Sequence, residues 1–498
     1  MRAFLALAVA GLAAGMPAGQ PGAPPPLTLF YDAASLDDDV ADAALEALGA
    51  AWRDAYTSMI IDMVRLMPPP RRVDLRGDGF PDDVGPDGEP LAPGAGRGAA
   101  FPPPPRVSPQ TRVRGRLLRF LERQTGRRFD EYLVGWRQWM WTLPYDPHPG
   151  YAEFKGAVYS QVDPRMALFF PPGTRSSIRL DEVDWGGVAV NGIPPLYHPK
   201  TLPAGEARYL RDGNVVFGLV VNGEARAYPK RVLAWHEMAV DRVGGVELTV
   251  VYCTLCGTVI PYESTVEGRV LRFGTSGLLY RSNKLMFDED TGSLWSTLEG
   301  RPVIGPLAAF DVALVSYPVV TTTWGEWKAM HPGTSVLSLD TGHERDYAEG
   351  AAYRDYFSHD RLYFQVARQD DRLGNKAEVL TLKVRPAAGP GAVPVAIDAD
   401  FLDDHPVYHL EVQGRRMVVV TSRRGANRVY AMGSAAVAFE SVSRDGLAVV
   451  DSAGRRWRVT EEALVGEGEP VVRLPRVVAQ RAFWFGWYAQ YPETLLVR

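Results

Sequence analysis

The 498-residue chain contains only two cysteines, Cys253 and Cys256, which excludes a framework of several disulfides. Lysine is scarce as well: it supplies 7 of the 54 basic residues, and the arginines are scattered rather than gathered into a stripe. No electrostatic footprint for nucleic acid results. Net charge is only −5, with 23% charged and 46% hydrophobic residues, a balance that excludes a disordered or collagenous chain. No stretch reaches 18 consecutive apolar residues, so no membrane span is expected in the mature chain. Several catalytic spellings are missing. There is no P-loop, so no nucleotide is expected, and neither G-x-S-x-G nor H-E-x-x-H occurs. The second cysteine is followed by Gly257 rather than histidine, which removes covalent haem attachment.

What is present begins with Arg2 and the apolar run Ala3 to Gly15, broken by Pro17, the grammar of a secretory signal over 1–19. The expected location is therefore periplasmic or extracellular, with an uncleaved N-terminal membrane anchor as the alternative. Helical spacing of apolar residues predicts a helical segment at 27–67. A Pro/Gly-rich loop or linker follows at 68–110, whose aspartates do not match a calcium loop. A second helical region, rich in tryptophan and leucine, spans 111–175. Beyond it, short β-rich runs such as Val215 to Asn222, Val246 to Cys253, Val270 to Thr275 and Ala313 to Tyr317 alternate with turn signals. Much of the content of 49 glycines belongs to those turns. The fold class expected is α+β, mainly β.

The β-rich part repeats. Trp324-Gly-Glu-Trp327 followed by His331-Pro332 recurs 160 residues later as Trp484-Phe-Gly-Trp487 followed by Tyr491-Pro492. Gly292-Ser-Leu-Trp295 recurs as Gly454-Arg-Arg-Trp457. Two related modules, 176–345 with the cysteines and 346–498 without them, are expected. Each Trp-x-x-Trp should form a short helix whose indoles share one face and plug a sheet. Pairing Gly257 with Gly425 sets Thr421 and Arg424 opposite Cys253 and Cys256. The second copy lacks both sulfurs and shows no substitute, so the cysteines read as function grafted on scaffold.

Cys253-Thr-Leu-Cys256-Gly257 is flanked by β-branched residues and followed by Pro261, so no helix can start there as it does in a thioredoxin-type site. The spelling is that of a metal knuckle, in which glycine takes positive φ and turns backbone amides toward the sulfurs. Further ligands would have to be non-cysteine. His236 is the nearest candidate, with His198 and Met286 behind it. A set of Cys253, Cys256, His236 and Met286 would suit copper, and Cys253, Cys256 and His236 with water would suit zinc. A redox-active disulfide and a structural disulfide are the competing readings. Ser276, between two strands, is a weaker nucleophile candidate, with no base in sight.

Read together, Val221-Asn-Gly-Glu-Ala-Arg-Ala-Tyr-Pro229, Trp235-His236-Glu237, Tyr252-Cys-Thr-Leu-Cys-Gly257, Ser276-Gly-Leu-Leu-Tyr-Arg-Ser-Asn283, Thr291-Gly-Ser-Leu-Trp-Ser296 and Thr322-Thr-Trp-Gly-Glu-Trp327 resemble the prokaryotic family catalogued as domain of unknown function 3179. The resemblance is strong over about 180–345 and implies that Cys253, Cys256, His236, Asn283, Asp288, Trp295 and Ser296 hold signature positions. Thr254 stands where the family often has proline. The family brings no reaction with it. Three functions are therefore expected in order: a copper or zinc centre, a thiol–disulfide redox protein, and a non-catalytic scaffold binding a protein partner in the cell envelope.

Overall fold

The computed structural model describes residues 23–68, 108–129, 133–435, 437–443 and 446–498. The signal at 1–19 and nearly all of the 68–110 linker lie outside them. The chain divides into two compact units, 1–182 and 183–498, and its class is α+β, mainly β.

The first unit is helical. The expected 27–67 helical segment forms Leu27–Ala33, Asp38–Ala50 and Thr57–Arg65. Asp37 explains one start, since its carboxylate accepts from the amides of Asp39 and Val40. Pro109–Thr125, Val134–Thr142 and Tyr151–Tyr159 follow, the first capped by the Ser108 hydroxyl and closed by Gly126 at φ +65. The interior holds a buried ion pair: Lys155 Nζ lies 2.9 Å from both Asp62 oxygens, and the hydroxyls of Tyr151 and Tyr159 also donate to that carboxylate.

The second unit contains the repeat, and its strand order makes the duplication explicit. In copy one, strands Val320–Thr323, Val215–Val221, Glu224–Pro229 and Ser335–Leu337 lie side by side, the last pairing parallel to its neighbour. In copy two, Gln480–Phe483, Glu378–Val384, Val393–Asp398 and Leu495–Val497 repeat that order, again with a parallel final pair. Both Trp-x-x-Trp segments are short helices, Trp324–Met330 and Trp484–Tyr488, with all four indoles buried. Gly218 shows how tightly one plug fits, because a Cβ there would lie 2.3 Å from the Trp327 ring.

Side-chain bonds repeat too. The Trp327 indole donates to Thr334 and the Trp487 indole to Thr494, each at 2.9 Å. The Trp295 indole donates to Asp288 and the Trp457 indole to Asp451, again at 2.9 Å.

One difference concerns continuity. In copy two, Arg473–Val477 pairs with both Asn427–Ala431 and Ala463–Gly466, producing a sheet of eight strands. The corresponding run in copy one, expected as a strand over Ala313 to Tyr317, makes a single bridge between Ser316 and Tyr262. Pro261 supplies a carbonyl to Tyr317 but has no N–H to return, which interrupts the ladder. The expected strand Val270 to Thr275 is displaced to Phe273–Tyr280, with Val270 at the end of a separate two-stranded ribbon.

Candidate functional site

Strand Val246–Cys253 pairs with Met238–Val243 on one side and Thr258–Glu263 on the other, so Cys253 closes a hairpin opposite Thr258. The turn between them carries Cys256. Gly257 has the expected positive φ, +63, but the knuckle geometry differs from expectation. The Cys256 amide donates to the Cys253 carbonyl at 3.1 Å and the Gly257 amide to the Thr254 carbonyl at 3.4 Å, so both amides close backbone turns.

The two sulfurs lie 2.7 Å apart, and both cysteines are buried thiols. They pack among Leu255, Leu279, Tyr356, Val366, Phe483 and Phe485. Cys256 Sγ also donates to the Ser282 carbonyl at 3.3 Å. Burial, the hydrogen bond with Cys253 and nearby negative charge push the Cys256 thiol well above its ordinary pKa.

A charged cluster borders the sulfurs. Glu237 faces Tyr252 across the strand pair, its carbonyl accepting the Tyr252 amide at 2.8 Å. Its carboxylate takes Lys284 Nζ at 3.1 Å and the Tyr353 hydroxyl at 3.0 Å. Burial lowers the Lys284 pKa while the Glu237 carboxylate beside it raises it again. The Tyr353 phenol is pushed far up by burial and by Glu237. Tyr252, the residue before Cys253, buries a hydroxyl that finds no hydrogen-bond partner among the described residues.

His236 and Glu237 are neighbours in sequence, yet they serve different clusters. Helix Lys230–His236 ends at Glu237 in the left-handed conformation, φ +53, and the reversal sends the two side chains apart. The His236 ring is engaged at both nitrogens, Nδ1 with the Pro194 carbonyl at 2.9 Å and Nε2 with the Tyr347 hydroxyl at 2.6 Å. Burial lowers its pKa to about 4. Met286 is packed in a core cluster with Met238, Val251, Tyr262, Phe273 and Trp295. His198 is exposed. Among the described residues no set of three or more His, Cys, Asp and Glu could hold a metal ion, so Cys253, Cys256 and His236 do not converge as expected. Ser276 is buried, and its hydroxyl donates to the Leu285 carbonyl, which makes it a strand brace. Asp288 accepts from Thr291 and Trp295, and this signature position is likewise structural.

The segment joining the two repeats lies over the site as a strap. Trp235 donates to the Asp346 carbonyl, Arg231 pairs with Glu349, His236 holds Tyr347, and Glu237 holds Tyr353. Farther along, the Tyr356 hydroxyl donates to the Leu255 carbonyl, inside the C-x-x-C itself, at 2.8 Å. One helix end thus anchors the strap that buries the thiols.

The last wall comes from copy two. The Phe483 amide donates to the Cys256 carbonyl at 2.7 Å, and Asn283 Nδ2 donates to the Gly486 carbonyl at 3.0 Å. A Cβ at Gly486 would sit 3.0 Å from the Cys256 Cβ, so a side chain there would press the hairpin and the helix apart by a few tenths of an ångström. Lys284, Glu237, Tyr353 and Gly486 were not singled out from sequence. One signal was available: Lys284 is one of seven lysines and directly precedes the apolar run Leu285-Met-Phe287.

No curated protein and no solved structure matches the chain. The family model described as protein of unknown function (DUF3179) matches residues 190–494, more than half of the chain, covering both repeats and every residue of this site, and the chain belongs to that family.

Proposed function

We propose that this is a thiol–disulfide exchange protein whose working couple is Cys253 and Cys256. The observation that carries this reading is the pair itself: two sulfurs at 2.7 Å, bordered by a buried carboxylate–ammonium pair, and among the described residues part of no group of three or more His, Cys, Asp and Glu that could hold a metal ion. Oxidation joins the two sulfurs and releases two protons and two electrons, which a disulfide of the substrate takes up as it becomes two thiols. The signal expected at 1–19 supports an exported, disulfide-permissive compartment and an envelope protein as the natural source of that disulfide. Among the described residues no helix is long and apolar enough to cross a membrane.

The test is equilibration of the purified full chain in glutathione buffers of graded poise, followed by acid trapping, alkylation and mass spectrometry of the peptide bearing both cysteines. A reversible two-electron transition at a potential above about −300 mV is expected, since structural disulfides lie below that value. Absence of any disulfide across the series, or one that resists reduction, would overturn the reading.

A further inference from the structure

The two sulfurs have unequal surroundings. Cys256 is fully buried and gives its S–H to the Ser282 carbonyl, a group that can only accept, so ionising this thiol would set a negative sulfur against a carbonyl oxygen. Cys253 sits at the strand end on the same face as Val251, two residues earlier. Val251 shares a core cluster with Met286, and Met286 shares a strand face with Lys284. Lys284 is also directly opposite Leu279, which packs with both cysteines. The ammonium is therefore presented on the side where Cys253 lies, held by the Glu237 carboxylate and carbonyl at 3.1 and 3.3 Å.

The sister repeat provides an independent observation. The Thr421 amide donates to the Pro406 carbonyl as the Tyr252 amide donates to that of Glu237, each at 2.8 Å, which aligns Pro406 with Glu237 and Ser422 with Cys253. The register against the paired tryptophans, Met286 opposite Trp295 and Val449 opposite Trp457, aligns Leu447 with Lys284. Thiols, carboxylate and ammonium are thus all missing from copy two, although its tryptophan braces are kept. Groups lost together in one copy belong to one device in the other.

We infer that Cys253 is the attacking sulfur and Cys256 the resolving one, and that Lys284 is a positioning residue, held by Glu237 and Tyr353, whose ammonium supports the Cys253 thiolate. The inference rests on the exchange reading above. In the first step the Cys253 thiolate attacks one sulfur of a substrate disulfide, forming a mixed disulfide and expelling a thiolate, which takes up the proton Cys253 had released. Cys256 then loses its proton, attacks the Cys253 sulfur and expels the second substrate thiolate, which takes up that proton. The titratable groups facing the pair are Glu237, Lys284, Tyr353, Tyr252 and Tyr356, and Glu378 acts on Tyr252 from copy two.

Oxidised glutathione is the probe. Cys256→Ser is expected to accumulate one glutathione on Cys253, whereas Cys253→Ser accumulates it at least about tenfold more slowly. Adding Lys284→Met to Cys256→Ser should slow adduct formation at pH 7 about tenfold and move the midpoint of its pH profile up by about one unit. Glu237→Gln, which keeps a hydrogen-bond acceptor for Lys284 but removes the opposing charge, should move that midpoint down and guards against a Lys284→Met protein that does not fold. Preferential labelling of Cys256, or midpoints unmoved by both substitutions, would overturn the assignment. A wild-type couple that cycles while both midpoints stay put would sink this inference alone; a wild-type pair that never forms a disulfide sinks the exchange reading itself.

Discussion

The two repeats share a scaffold and differ most tellingly at one hairpin. In copy one the hairpin turn carries Cys253 and Cys256 and docks on the Trp-x-x-Trp helix of copy two, where Gly486 makes room. In copy two the corresponding turn carries Ser422, whose hydroxyl donates to Glu326 on the helix of copy one at 2.8 Å. Glu326 holds the position in Trp-Gly-Glu-Trp that Gly486 holds in Trp-Phe-Gly-Trp. The docking is reciprocal, but one side is finished as a polar brace and the other as a close-packed dithiol. The scaffold stands without cysteine in copy two, and that contrast is what the exchange proposal draws on.

The comparison can be broken most forcefully at the shared braces. Trp327→Ala and Trp487→Ala each remove a fully buried indole and its bond to threonine, and each should cost about 3–5 kcal/mol in urea unfolding. A loss confined to one of the two would show that the repeats do not carry equivalent loads.

A smaller effect separates the copies by pH. His236 is neutral in the folded protein, its pKa lowered to about 4 from 6.5, because burial between Pro194 and Tyr347 disfavours the charged ring. Below pH 6.5 the unfolded chain therefore binds the proton first, and stability falls as pH drops toward 4, by about 3 kcal/mol at most. His236→Gln should flatten that part of the stability profile. In the wild type, alkylation of the thiols should accelerate over the same window relative to an unfolded control, because a His236 released by opening of the strap takes up a proton and favours the open form. An unchanged slope in His236→Gln would remove His236 from the latch.

The smallest expected effect sharpens the equivalence. Asp288→Asn and Asp451→Asn each weaken a carboxylate that accepts from an indole and from neighbouring donors, and each should cost about 1–2 kcal/mol. Equal losses in thermal unfolding would confirm matched turns, and a neutral result at Asp288 would return that signature position to the list of functional residues.

Much of this was legible in the residues. The spacing of Trp324, Trp327, Trp484 and Trp487 disclosed the repeat, and the missing sulfurs of copy two singled out the C-x-x-C, because both are patterns along a single chain. The one-residue offset was not legible. Pairing the glycines sets Thr421 opposite Cys253, whereas the backbone hydrogen bonds set Ser422 there, since the turn of copy two is a residue shorter. The expected histidine ligand failed for a related reason. A left-handed Glu237 reverses the chain, and adjacency in Trp235-His236-Glu237 becomes divergence in space.

The amino-acid sequence alone determined the class, the duplication, the family and the absence of cysteine from the second repeat, because periodicity, repetition and scarcity survive without coordinates. Only the tertiary structure decided what surrounds the sulfurs. Glu237, Lys284, Tyr353 and Gly486 arrive from a helix cap, a neighbouring strand, the strap and the sister repeat, and no local pattern links positions that folding alone brings together.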